Sequence, residues 1–191
     1  LAVRRDRLAR VARMTRQHAR DIIAAISADF GHRSPHETLI ADLLAVDEAI
    51  KHARRHLADW MRPQQIATAL MYRPGYNRLL AQPLGVVGVV APWNYPYQLS
   101  MLPAVAALAA GNRVLIKPSE LTPRTAELMA RIVGENFSED ELAVFPGDAT
   151  VGKAFVAWAF DHLFFTGSTA VGRIVAQAAA KTLTPVTLEL G

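Results

Sequence analysis

The chain has 191 residues, of which 51% are hydrophobic and 20% charged, so it can bury a core and does not belong to the disordered class. No apolar run reaches the ~18 residues of a membrane span, and the first residues lack the continuous apolar stretch of a secretory signal. The net charge is +4 and cysteine is absent, which excludes disulfides, thiolate metal sites and a thiol nucleophile within these residues.

The N-terminal segment concentrates positive charge. Six of the 21 basic residues are the arginines at positions 4, 5, 7, 10, 13 and 16. Such a cluster can indicate nucleic-acid binding. The segment lacks the interleaved aromatic residues of single-strand binders, so a solvated helix face is the favoured interpretation and no nucleic-acid partner is predicted. The lack of cysteine fits a cytoplasmic protein.

Two long helices are predicted before residue 61. The first has an apolar stripe formed by Leu8, Val11, Ile22, Ile23, Ile26 and Phe30. Gly31 is its expected stop. The tetrapeptide SPHE then predicts Ser34 as N-cap, Pro35 at the first helical position and Glu37 closing a capping box. This second helix should run to about Trp60.

A β-hairpin is predicted for Ala67–Gln82, where two strand-like runs flank Pro74 and Gly75. An exposed hairpin invites pairing with another chain. We therefore predict that this element joins subunits into a dimer or tetramer.

Five short apolar runs alternate with helix-like stretches from Leu84 onward. The runs are VVGVVA, RVLIK, LAVFP, HLFFT and VTLEL. This alternation predicts an α/β fold, with a Rossmann-like parallel sheet covered by helices on both faces.

Polar, glycine or proline residues follow every predicted strand. In chain order the motifs are PWNYP, KPSE, PGD, TGST and ELG. Ligands of open parallel sheets bind at the carboxyl ends of the strands, so five such ends predict a binding site. Neither a Walker loop nor a GxGxxG motif is present.

Each of these residues also has a plainer interpretation. Lys117 can reach a ligand or extend its ammonium to solvent. Glu120, considered by itself, has the pattern of an ordinary exposed charge. Asn94 can donate to an oxyanion or cap a turn. Ser168 can help to bind phosphate or simply cap the following helix.

Glu189 lies in the last predicted strand. Alternation places Val186, Leu188 and Leu190 on one face and Glu189 with Gly191 on the other. Its carboxylate should then point, partly buried, into the crevice beside the strand end. That position suits a general base, and a structural carboxylate at a strand edge is the alternative.

The motifs PLGVVGVVAPWNYP, AAGNRVLIKPSE, FDHLFFTGSTAVGR and PVTLELG, in this order, resemble the aldehyde dehydrogenase superfamily. The resemblance covers nearly the whole chain, and PWNYP and LTPVTLELG look most like the branch of coniferyl-aldehyde and fatty-aldehyde dehydrogenases. It implies oxidation of an aldehyde to a carboxylic acid with NAD as cofactor and NADP as the alternative. It also implies a helical part at 1–61, an oligomerisation hairpin at 62–83 and an NAD-binding Rossmann-like domain at 84–191.

The resemblance implies roles for individual residues. Asn94 is expected to donate to the oxyanion, and Glu189 to act as the general base that activates the cysteine or the deacylating water. Lys117 and Glu120 are expected to hold the adenosine ribose, and Ser168 the pyrophosphate. The other expected cofactor-binding residues are Val90, Pro92, Trp93, Ser119, Gly147, Thr166, Gly167, Val171, Leu190 and Gly191. No metal ligand is expected.

The family's nucleophile is a cysteine downstream of an ELGG motif, and this sequence ends at the first of the two glycines. The resemblance therefore implies a truncated aldehyde dehydrogenase fold, with the catalytic domain beyond residue 191 and no activity in these residues alone. The rival interpretation is a non-catalytic nucleotide-binding module.

Overall fold

The computed structural model describes all 191 residues, and its N-terminal part is helical. The helices are α1 (Ala2–Gln17), α2 (Ala19–Phe30), α3 (Pro35–Glu37) and α4 (Ala45–Trp60), and a π-helical segment, Thr38–Leu44, joins α3 to α4. The first predicted helix is thus two helices, because the backbone leaves helical geometry at His18, with φ of −102° and ψ of 15°.

The predicted helix boundaries are partly correct. Gly31 ends α2 with a left-handed φ of 80°, which glycine adopts without a steric penalty. Pro35 occupies the first position of α3, as predicted. The predicted capping box is wrong, because Ser34 makes no side-chain cap and the Glu37 carboxylate instead lies 3.3 Å from Arg33 Nη2.

The hairpin exists, but its strands lie farther apart in sequence than predicted. Strand β1 (Gln64–Ile66) pairs with β2 (Asn77–Leu79) in antiparallel register. The stretch before Pro74 is not a strand: a 3₁₀ turn, Leu70–Tyr72, and the Gly75 N–H bond to the Tyr72 carbonyl satisfy the backbone locally. All of this segment is well exposed except Thr68.

The main sheet has five parallel strands. They are β3 (Val86–Val90), β4 (Arg113–Lys117), β5 (Leu142–Val144), β6 (His162–Gly167) and β7 (Val186–Leu190). The intervening helices are α5 (Pro96–Ala110), α6 (Pro123–Asn136), α7 (Ala149–Val156) and α8 (Thr169–Ala180). The strand order is β5-β4-β3-β6-β7: after β5 the chain returns to the other side of β3 and continues outward through β6 and β7.

Helices cover both faces of this sheet, which confirms the predicted α/β architecture. The larger core cluster joins Val87, Val89 and Ile116 to α5, α6 and the N-terminal helices. A smaller cluster packs Leu163 and Phe165 against α7 and α8. Successive strand residues point to opposite faces, which is why Val86 and Val90 of β3 pack against the smaller cluster and not the larger one.

The N-terminal arginines do not all lie on a solvated face, so that expectation is wrong for three of them. Arg4, Arg7 and Arg10 donate to backbone carbonyls at or just after the ends of α5 and α6. Arg7 Nε and Arg10 Nη1 also pair with the Glu141 carboxylate at 3.0 and 2.7 Å. These contacts satisfy helix C-terminal carbonyls and attach α1 to the sheet. Among the six N-terminal arginines, the exposed side chains are those of Arg5, Arg13 and Arg16.

None of the helices combines the length and the apolar character required to cross a membrane.

Candidate functional site

The strand register brings the predicted site residues to one edge of the sheet. Val90 on β3 lies opposite Lys117 on β4, and Thr166 on β6 lies opposite Glu189 on β7. Strands β3 and β6 are neighbours whose following helices lie on opposite faces of the sheet. Such a switch point is where parallel α/β sheets open a crevice for a ligand.

Lys117 is held inside this edge. It is 2% exposed, and its Nζ donates to the Pro118 carbonyl at 2.6 Å and lies 3.8 Å from Glu120 Oε2. Burial lowers the pKa of Lys117, and the carboxylates of Glu120 and Asp148 oppose that effect. The alternative of an ammonium extended to solvent is therefore wrong, whereas Glu120 is exposed.

Asn94 lies in the loop between β3 and α5. Its side chain is exposed, and with Trp93 it lines a cavity of about 400 Å³. The Trp93 ring packs against Phe30, with the ring centres 6.0 Å apart. Arg33 donates to the backbone carbonyl of Asn94. The backbone of Asn94 is thus anchored, while the residue itself is exposed and lines an open cavity.

Two buried charges beside this loop, Arg33 and Asp42, are not among the residues predicted from the sequence. Arg33 has a side-chain exposure of 5%, and its Nη2 lies 3.7 Å from Oδ2 of the fully buried Asp42. Burial raises the pKa of Asp42, and backbone N–H donors and Arg33 partly offset that rise. An aspartate within the apolar run TLIADLL was the available signal for this pair, although it does not indicate the partner.

Two glycines leave bare backbone at the strand ends. Gly147 has a φ of +143°, and a Cβ there would lie 2.6 Å from Val151 Cγ2. A Cβ on Gly167, which ends β6, would lie 2.7 Å from the Phe165 ring. Both positions therefore favour glycine, which also allows close approach of a ligand to the backbone.

Helix α8 starts directly after β6 with Ser168 as its N-cap. The Ser168 hydroxyl accepts from the Val171 N–H at 3.4 Å, so the capping alternative is observed. Residues 168–171 are exposed. The unpaired N–H groups of such a first turn suit a phosphate.

Glu189 is exposed rather than partly buried, so that expectation is wrong. Strand β7 is an edge strand of the sheet. Leu188 lies on the face of β7 that packs against the smaller core cluster. Leu190 contacts α8, where a Cβ on Gly172 would lie 2.6 Å from Leu190 Cδ2. Glu189 therefore points to the opposite face, as alternation predicts, and no helix of the chain covers it there.

The remaining predicted residues also lie at this edge of the sheet. Val90, Pro92, Ser119 and Thr166 are half-buried, and Val171, Leu190 and Gly191 are exposed.

The arrangement fits a dinucleotide. An exposed carboxylate beside a buried ammonium can bind ribose hydroxyls, and a bare glycine followed by a helix N-terminus can bind a pyrophosphate. The fold defines an α/β protein of the Rossmann-like class, with a parallel five-stranded sheet flanked by helices. The sequence profile of the aldehyde dehydrogenase family matches residues 1–191, and the chain belongs to this family.

Curated relatives agree with this assignment. The coniferyl aldehyde dehydrogenase of Pseudomonas sp. strain HR199 is 47% identical over 191 residues, which are 100% of this chain and 39% of that protein. The probable coniferyl aldehyde dehydrogenase of Pseudomonas aeruginosa is 49% identical over 170 residues, 89% of this chain and 36% of that protein. The chain therefore spans about two fifths of the length of these relatives.

Solved structures share the fold. The substrate-bound AldH of Staphylococcus aureus has a TM-score of 0.96 and 35% identity, covering 100% of this chain and 42% of that one. The NAD⁺ complex of a Bacillus cereus aldehyde dehydrogenase has a TM-score of 0.86 and 28% identity, covering 98% and 38%. The latter complex supports NAD(H) binding within the family.

Proposed function

We propose that this chain supplies the cofactor-binding part of an NAD-dependent aldehyde dehydrogenase that oxidises an aldehyde to a carboxylic acid. The supporting observation is that Lys117 and Glu189 lie at the carboxyl edge of one parallel sheet, and Asn94 lies in the loop that follows β3 at that edge, in a chain of this family. The reaction needs a thiol nucleophile, and none of the 191 residues is cysteine. We assign that cysteine to a catalytic domain beyond residue 191.

In the proposed reaction, the cysteine thiolate adds to the carbonyl carbon and the C=O electron pair moves to oxygen. The side-chain amide of Asn94 donates a hydrogen bond to this oxyanion, together with a backbone N–H. A nicotinamide cofactor, held by Lys117, Glu120 and Ser168, would supply the acceptor for the hydride that leaves when the oxyanion collapses to a thioester. Glu189 then takes a proton from the water that attacks the thioester, which releases the acid and the thiolate.

We infer the cofactor-binding roles from the resemblance to the family, and the position of these residues at the carboxyl edge of the sheet supports them. Lys117 and Glu120 would hold the adenosine ribose, and Ser168 with the first turn of α8 would hold the pyrophosphate. The bare backbone at Gly147 and Gly167 would lie against the cofactor. The cleft would be lined by Val90, Pro92, Trp93, Ser119, Thr166, Val171, Leu190 and Gly191. In this proposal 84–191 is the NAD-binding part, 1–61 its helical flank and 62–83 the subunit-pairing hairpin.

Coniferyl aldehyde is the first substrate to test, because relatives that are 47% and 49% identical bear that name. The test incubates the complete gene product that carries these residues with NAD and coniferyl aldehyde, and separates the products by chromatography. We expect the carboxylic acid to form in proportion to NADH. Formation of the acid from a long-chain aliphatic aldehyde alone would overturn the substrate assignment, and formation from neither would overturn the proposed function.

A further inference from the structure

Arg33 is enclosed on several sides at once. Its guanidinium carbon lies 4.8 Å from the centre of the Phe30 ring and 4.4 Å from that of Tyr95. Its Nη1 donates to the backbone carbonyl of Asn94, and its side chain is only 5% exposed. A planar guanidinium held between two rings has little freedom to rotate, so the position of the Asn94 carbonyl is fixed with it.

Asp42 fixes the same loop from its other end. Its Oδ1 accepts the N–H groups of Tyr97 and Gln98 at 3.1 and 2.9 Å, in the first turn of α5. Its Oδ2 faces Arg33 Nη2 at 3.7 Å. Because α5 begins two residues after Asn94, the pair anchors this loop both at the Asn94 carbonyl and at the helix that follows.

A contribution to the stability of the fold does not by itself explain why Arg33 and Asp42 are buried together. Arg33 Nε, Arg33 Nη2 and Asp42 Oδ2 are buried without a hydrogen-bond partner. A buried ion pair with unsatisfied groups contributes little net stability compared with apolar residues of similar size. What the pair does define is the geometry of the loop that carries Asn94.

We propose that Arg33 is a positioning residue for Asn94: it holds the Asn94 backbone so that the side-chain amide points at the reacting oxygen. This inference rests on the proposed function, in which that amide donates to the oxyanion. Such a donor acts within about 2.7–3.1 Å of the oxygen, and a misplacement of about 1 Å can cost about 10²-fold in rate.

The test is a double-mutant cycle in the complete gene product, with NAD and a turned-over aldehyde. Arg33→Met keeps the length of the side chain but removes the donor and the charge. We expect kcat to fall by about 10²-fold while the KM values for cofactor and aldehyde change by less than about threefold. In an Asn94→Ala background, Arg33→Met should produce no further fall in kcat.

Two further variants keep the test decisive. Arg16→Met is the matched control, because Arg16 also pairs with an aspartate, Asp47, at 2.8 Å but is 62% exposed on α1; its kcat should be unchanged. Asp42→Asn replaces Arg33→Met in the test if the Arg33→Met protein does not fold. It retains the oxygen that accepts from α5 and removes the charge facing Arg33, and kcat should fall several-fold only when Asn94 is present.

The outcomes distinguish the role of Asn94 from the role of Arg33. If Asn94→Ala leaves kcat unchanged, the proposed role of Asn94 fails and this inference fails with it. If Asn94→Ala lowers kcat but Arg33→Met has no effect, or the same effect in both backgrounds, Asn94 remains the donor and the positioning role of Arg33 is overturned.

Discussion

In the proposed site, Glu120 beside Lys117 is expected to govern the choice of cofactor. A carboxylate at this position can accept a hydrogen bond from a ribose 2′-hydroxyl but repels a 2′-phosphate. We predict that the complete gene product binds NAD more tightly than NADP. Glu120→Gln should shift the affinity ratio toward NADP by about tenfold, since removing one nearby charge is worth about 1–2 kcal/mol.

The measurement is a fluorescence titration with both reduced cofactors. Glu127→Gln is the matched control, because Glu127 is an exposed glutamate on α6, and it should leave the ratio unchanged. Tighter binding of NADP by the unaltered protein would contradict the assignment, as would a ratio that Glu120→Gln does not move.

At the scale of elements, α1 is attached to β5 through Glu141. The hydrogen bond from Arg10, supported by Arg7, lowers the pKa of Glu141 to about 2. A carboxyl with a depressed folded-state pKa contributes stability above its unfolded pKa of about 4.3 and loses it as pH falls through about 2. Glu141→Gln should therefore lower the free energy of unfolding by about 1–2 kcal/mol at pH 7, with a smaller difference at pH 3.

Urea denaturation of both proteins at pH 7, 4 and 3 measures this difference. Asp6→Asn is the control, because Asp6 pairs with the same Arg10 but is 63% exposed, and it should cost less than about 0.5 kcal/mol. A pH-independent effect of Glu141→Gln would indicate lost packing rather than a lost ion pair.

The hairpin is the other element with a testable role. It exposes large apolar side chains, including Leu70 and Met71 at 80% each, and its two strands have free edges. We predict that it pairs subunits of the complete gene product. Replacing the tip around Pro74 and Gly75 by a short polar loop should reduce the molar mass measured by light scattering, and an unchanged mass would remove this role.

The sequence predicts those parts of the structure that depend on local pattern. Five apolar runs separated by helical stretches are sufficient for the parallel sheet, and the residues after each run mark its carboxyl edge. Alternation correctly gives the side of β7 to which Glu189 points, but not what covers that side. The Arg33–Asp42 pair and its link to Asn94 bring together residues far apart in the chain, and periodicity carries no information about such contacts.

At the scale of the whole molecule, the 191 residues contain the proposed oxyanion donor and general base but no thiol. Without a thiolate no thiohemiacetal forms, so in the proposed mechanism Asn94 has no thiohemiacetal oxyanion to stabilise. We predict no aldehyde-dependent NADH from the 191-residue chain with any aldehyde. The assay compares absorbance at 340 nm with and without a non-absorbing aldehyde, and sustained turnover by a cysteine-free preparation would contradict the mechanism.

The most direct test of the account is the first turnover of the Glu189→Gln variant of the complete gene product. If Glu189 activates the water that hydrolyses the thioester, stopped-flow fluorescence should record a burst of about one NADH per active site. Steady-state turnover after the burst should be about 10²–10⁴-fold slower than in the unaltered enzyme. A steady-state rate equal to that of the unaltered enzyme, or a missing burst, would contradict the role assigned to Glu189.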